Sequence, residues 1–109
     1  MRSIAITQIK EVANKLGYEN ILCQLAEESS ELSQACLKYR RACKGLTPKT
    51  KNEVYENLIE ELADVLLNIE QIYYLFDDHI QDKITNIQDF KAERWWNRTF
   101  ITNNCPNGE

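Results

Sequence analysis

Apolar positions recur along this chain at helical spacing almost throughout. Starting at Ile21, the positions Leu25, Glu28, Leu32, Ala35, Tyr39 and Ala42 follow alternating steps of four and three residues. That is the seam spacing of a helix packed against a neighbour, and it predicts a helix over about residues 20–42. Glu28 occupies a slot in the seam where Leu or Ile is expected. Ahead of this helix, Ser3 can cap a first one running to Leu16, with Ile6, Ile9 and Val12 or Ala13 as its apolar side. Gly17 then stands where a helix-ending residue belongs. Residues 43–51, with Gly45 and Pro48, read as a loop.

Thr50 followed three residues later by Glu53 is a capping-box signature, and it opens a third helix whose apolar periodicity reaches Phe76. Asp77 and Asp78 break the pattern, and Asp78 with Gln81 can cap a fourth helix ending near Thr99. The polar tail, residues 102–109, is expected to be flexible. The expectation is a single all-α domain over residues 1–101, a small four-helix bundle.

The third helix carries an apolar arc of Leu58, Leu62, Val65, Ile69 and Tyr73, about 80° wide, with Asn57, Glu61, Asp64 and Asn68 along its edge. On the second helix, Glu31 lies about 60° from Glu28 and Gln24 about 40° away on the same side. Glu28 with Glu31, and Glu61 with Asp64, are carboxylates three residues apart, so each pair shares a helix face. If the two faces meet, four negative charges converge. Such a cluster is costly to desolvate unless a hard cation binds, and Mg2+ is the ordinary choice for an all-oxygen site. The serious rival is a salt bridge from Glu28 to a base on another helix. Glu27, Glu56 and Glu60 read first as solvated charges.

The fourth helix offers bases. Ile80, Lys83, Ile84, Ile87, Phe90, Lys91, Arg94 and Arg98 fall within an arc of about 120°. These bases can grip a phosphate or be surface charge whose stems cover the core. Trp95 and Trp96 face about 100° apart, so one is expected to pack and the other to line an interface.

Composition narrows the function classes. The chain has 109 residues, 43% hydrophobic and 28% charged, which suits one soluble globular domain. A net charge of −4 argues against a non-specific grip on nucleic acid, so a polyanionic substrate would need metal. No apolar run near the N-terminus has the length of a signal peptide or membrane span. Cys23, Cys36, Cys43 and Cys105 form no CxxC pair and read as reduced, structural cysteines of a cytoplasmic protein, Cys36 and Cys43 as small core hydrophobes. A di-iron bundle needs Glu-x-x-His on two helices, and the only histidine, His79, sits at a turn outside both acidic tetrads.

The ordered pair Glu27-Glu28-x-x-Glu31 and Glu61-x-x-Asp64, separated by a 29-residue spacer, resembles the MazG-like all-α nucleoside triphosphate pyrophosphohydrolases. The local text Gln24-Leu25-Ala26-Glu27-Glu28 and Glu60-Glu61-Leu62-Ala63-Asp64-Val65-Leu66 carries the likeness, which extends over about residues 20–98. The resemblance implies Mg2+-dependent (or Mn2+-dependent) cleavage of a nucleoside triphosphate to the monophosphate and pyrophosphate. It implies Glu28, Glu31, Glu61 and Asp64 as metal ligands and an oligomer, dimer or tetramer, with the nucleotide pocket between subunits. Glu27, Glu28 and Glu61 are the candidate catalytic acids, with the base itself left open among them. Gln24 and Asn68 are candidate substrate contacts, as are Lys91 with Arg94 at the phosphates; Lys83 with Asn86 is the other possible phosphate pair. The non-enzymatic alternative is a helical oligomerisation or adaptor module whose acids form interface salt bridges.

Overall fold

The computed structural model describes residues 1–101, so Cys105 and the expected tail lie outside the described residues. Within them the chain is all-helical: α1 (Ser3–Cys43), α2 (Lys51–Leu75) and α3 (Ile80–Phe100). The count of helices is three where the periodicity suggests four, because the break expected after Leu16 lies inside α1. It is a kink at Gly17, with φ 81° and ψ 162°. Only glycine occupies that backbone region without a steric penalty.

The chain falls into two compact units, Met1–Phe76 and Asp77–Glu109. In the first, α1 packs against α2. Ring contacts join Tyr18 to Phe76 and Tyr39 to Tyr55, and Asn68 reaches Gln24. Numbers rise on one helix as they fall on the other, so the two run antiparallel beyond the kink, as a short connection between neighbours requires. The residues ahead of the kink lie against α2 as well. Asn14 Nδ2 donates to the Tyr74 hydroxyl at 2.8 Å, Gln71 Nε2 donates to the Ile9 carbonyl at 2.9 Å, and Lys10 Nζ sits 5.3 Å from the Tyr74 ring centre. Gly17 therefore lets one helix contribute two segments to the surroundings of α2.

The helix ends follow local chemistry. α1 closes on a Schellman motif: Gly45 at φ 69°, its N–H donating to the Ala42 carbonyl, and the Leu46 N–H donating to the Arg41 carbonyl at 2.9 Å. α2 opens on the expected capping box, Glu53 N–H donating to Thr50 Oγ1 at 3.2 Å and Thr50 N–H donating to Glu53 Oε2 at 3.0 Å. α3 departs from expectation. Its first cap position is His79, with no side-chain bond to the helix, while Asp77 Oδ1 accepts from the His79 N–H at 2.8 Å. Asp77 can reach only the turn before the helix, and Asp78 makes no cap.

Burial bears out the α1 seam: Ile21 and Ala35 are buried, while Leu25, Glu28, Leu32, Tyr39 and Ala42 are half-buried. The expected α2 arc is half-buried at Leu58, Val65, Ile69 and Tyr73, and Leu62 alone of it is exposed. The covered face is broader than that arc: it also takes in Asn57, Glu61, Asn68 and Gln71 of the polar side, while Asp64 stays exposed. Cys23, Cys36 and Cys43 are free and exposed, so Cys36 and Cys43 are not core residues. No residue of α3 is buried, and both tryptophans, Trp95 and Trp96, are exposed. No described helix is long and apolar enough to cross a membrane.

Candidate metal centre

The α1 seam and the broad α2 face bring the acids together. Glu28 and Glu31 come from neighbouring turns of α1, and Glu61 from the facing turn of α2. One carboxylate oxygen from each lies within 4.8 Å of the others. Oxygens that share a divalent cation come closer together than this limit, at about 2.0–2.1 Å from Mg2+ or about 2.3–2.6 Å from Ca2+, so the three glutamates would draw in on binding. Asp64, one turn along α2 from Glu61, is exposed and faces Glu28 closely enough to share a proton with it.

The electrostatics have one sign. The Glu28 carboxyl is pushed above its usual range by burial first, then by the charges of Asp64, Glu31 and Glu61. Glu61 is pushed the same way, by burial and then by Glu31, Asp64 and Glu60. Nothing basic acts on either group among the described residues, so the salt-bridge partner that would settle these charges is missing from this unit. Glu28 Oε2 and Glu61 Oε2 are buried without a hydrogen-bond partner. Glu28 lies against Asp64, and Glu61 against Glu31. Two carboxylates so placed bond only if one keeps a proton, or if a cation takes the proton's place. The donor set fits a hard divalent ion on all three counts: all-oxygen chemistry, convergent geometry and orphaned buried acceptors.

A cavity of ≈ 280 Å³ opens beside the acids. Glu28 and Asp64 line it, with Ile9, Val12 and Leu67 as apolar wall and the amides of Gln8, Gln24, Asn68 and Gln71 as polar wall. Asn68 Nδ2 donates to Gln71 Oε1 at 3.1 Å and, more loosely, to Gln24 Oε1 at 3.4 Å. The structure thus gathers Gln24, Glu28, Glu31, Glu61, Asp64 and Asn68 on one side of the first unit. Glu27 is exposed on α1. Lys91 and Arg94, like Lys83 and Asn86, are exposed positions of α3 in the second unit.

Sequence reasoning missed Gln8, Ile9, Val12, Leu67 and Gln71 as cavity residues. A readable signal existed for Gln71, which continues the four-and-three spacing from Glu61 through Asp64 and Asn68. Gln8 and Val12 have none, since only the fold-back at Gly17 brings them there. Comparison of the chain with family models, with curated proteins and with solved structures returns no match.

Proposed function

We propose that this protein is a Mg2+-dependent nucleoside triphosphate pyrophosphohydrolase of the MazG-like kind. It would convert a (deoxy)nucleoside triphosphate to the monophosphate and pyrophosphate in a nucleotide-pool house-cleaning role. The observation that carries the reading is the convergence of Glu28, Glu31 and Glu61 within 4.8 Å with two of their oxygens buried and unpartnered. An acidic protein that hydrolyses a more acidic substrate needs cations between them, and this cluster is suited to hold them. Bound Mg2+ supplies charge neutralisation at the phosphates and Lewis acidity at phosphorus.

The chain's own residues do the rest. Glu28, Glu31, Glu61 and Asp64 hold the ion. Glu27, outside the cluster and exposed, is free to orient the attacking water and accept its proton. The cavity with Gln24 and Asn68 takes the nucleoside end. Lys91 and Arg94, or in their place Lys83 and Asn86, are the residues proposed for the phosphates, and the protein works as a dimer or tetramer in the cytoplasm.

The test has two arms. Pyrophosphate release is screened over common and modified nucleoside triphosphates with Mg2+ or Mn2+, and thermal melting is followed in chelator and in millimolar metal. A metal-dependent hydrolase releases pyrophosphate from at least one nucleotide, and its melting midpoint rises with metal through linkage. A protein indifferent to metal in both arms is the adaptor module instead.

A further inference from the structure

The cavity beside the acids contains a hydrogen-bond relay that ends on an unused acceptor. It begins at the main chain. The Ile9 carbonyl accepts from Gln71 Nε2 at 2.9 Å, which fixes the Gln71 amide, because the reverse orientation would set oxygen against oxygen. Gln71 Oε1 then accepts from Asn68 Nδ2 at 3.1 Å, and the remaining Nδ2 hydrogen points toward Gln24 Oε1 at 3.4 Å. Turning Asn68 over would confront its oxygen with that of Gln71. Both amides are more than nine-tenths buried, Asn68 at 5% and Gln71 at 6% exposure. The outcome is a side chain whose donors are spent and whose Oδ1 is held, buried, with no partner.

We propose that Asn68 is the specificity-determining residue of this cavity, its Oδ1 accepting a hydrogen bond from the N–H of a planar heterocycle, the base of a nucleotide. The proposal rests on the hydrolase reading for the choice of a nucleobase as the heterocycle. Ile9, Val12 and Leu67 offer apolar surface to the ring faces. Glu28 and Asp64 border the same cavity, which places the phosphate-bearing end of the ligand at the acids and the base at the amides. Gln8, Val12 and Gln24 are exposed at its rim; Oδ1 itself has no exposed surface in the unliganded chain, so the ligand must displace what covers it. A carbonyl-only edge meets an acceptor with no hydrogen to share and is rejected, because both oxygens are then left unpaired. The required donor is available from two chemistries, a ring imide N–H, as in uracil, and an exocyclic amine, as in cytosine. Gln71 is a positioning residue, acting on the ligand only through Asn68.

The test uses nucleosides without phosphate, so it does not depend on hydrolysis. The ¹⁵N-labelled full chain is titrated with deoxyuridine against its 3-methyl derivative, and with deoxycytidine against its dimethylamino derivative, following the Asn68 side-chain amide resonance. In at least one pair the unmethylated member should shift that resonance and bind about tenfold or more tighter than its methylated partner. The responding pair identifies imide or amine. Asn68→Leu should abolish the discrimination. No shift of the Asn68 resonance with any nucleoside, or equal binding within both pairs, overturns the proposal, and neither result needs a variant that folds. Discrimination in a protein that releases no pyrophosphate from any triphosphate would sink the hydrolase reading and leave this one standing.

Discussion

At the scale of single residues, Glu28 and Glu61 place groups of like charge where packing would favour carbon. Both carboxyls are raised in the folded chain, by burial first and neighbouring acids second. The sign of the linkage follows. A group protonated more readily when folded adds stability below its unfolded pKa and loses it as pH rises through the folded value. In chelator, the contribution of these two acids should therefore favour the fold at mildly acid pH and fade toward neutrality. Mg2+ should reverse that trend, because it competes with protons for the same oxygens. Melting midpoints between pH 4.5 and 7.5, with and without metal, check this; a metal-free midpoint that climbs steadily toward neutral pH for the parent, but not for Glu61→Gln, would contradict it. The same variant argues the site from the other side. Glu61→Gln keeps the shape and removes one charge from a self-repelling cluster, so it should melt no lower than the parent in chelator and gain less from Mg2+. It should also release pyrophosphate at least a hundredfold more slowly, on the order of the loss when one charged group of a transition-state clamp is removed. A variant that hydrolyses at the parental rate and melts far below the parent would assign Glu61 a structural role.

At the scale of helices, Gly17 and the capping box are local devices: the first brings the start of α1 to the cavity and the second opens α2. Gly17→Ala meets no atom within 4 Å of the added carbon, so its cost is backbone strain alone, roughly 1–3 kcal/mol, read as a lowered denaturant midpoint. It should also weaken the cavity selectively, since Gln8, Ile9 and Val12 reach it only through the kink. Thr50→Ala should cost about 1 kcal/mol through the lost cap while leaving metal affinity intact; equal metal loss in both variants would show that the two helices do not act separately. These devices were legible because they are local: glycine after an apolar run, and Thr-x-x-Glu before one. The α1 seam was legible too, because its period is unbroken from Ile21 to Ala42. The breadth of the α2 face was not. Its expected arc is half-buried at Leu58, Val65, Ile69 and Tyr73, but cover reaches on to Glu61, Asn68 and Gln71 while Leu62 is exposed. Periodicity weighs only hydrophobicity, and here two segments of α1 cover polar side chains that bond to each other and to a carbonyl. The acids were legible because they break an apolar rule in a place that contact explains.

At the scale of the whole molecule, the interior is thin for the apolar surface available. Buried apolar residues are Ala13, Ile21, Ala35 and Val54, and the buried polar ones are Asn68 and Gln71. Small domains gain most from association, and α2 carries the means. Tyr55, Ile59, Leu62 and Leu66 repeat in steps of four, three and four residues on the side away from the acids, each between 39% and 58% exposed. Apart from the Tyr39 ring beside Tyr55, this stripe at seam spacing is open, and it suits a helix of a second copy running alongside. The proposed oligomer accordingly should use this stripe, with Leu66, the most exposed of the four, at its C-terminal end. Leu66→Glu changes a side chain 58% exposed in the single chain, so the fold of one subunit should tolerate it within about 0.5 kcal/mol. At an interface the same change buries a charge without a partner and should split the assembly. Light scattering at micromolar concentration should then return a mass of two or four subunits for the parent and one, 12.8 kDa, for the variant. Pyrophosphate release separates two kinds of site: activity that survives in the monomer places the whole site in one subunit, and activity lost with assembly places part of the nucleotide pocket on the neighbour. A parent that scatters as a monomer refutes the stripe as an interface, whatever its activity.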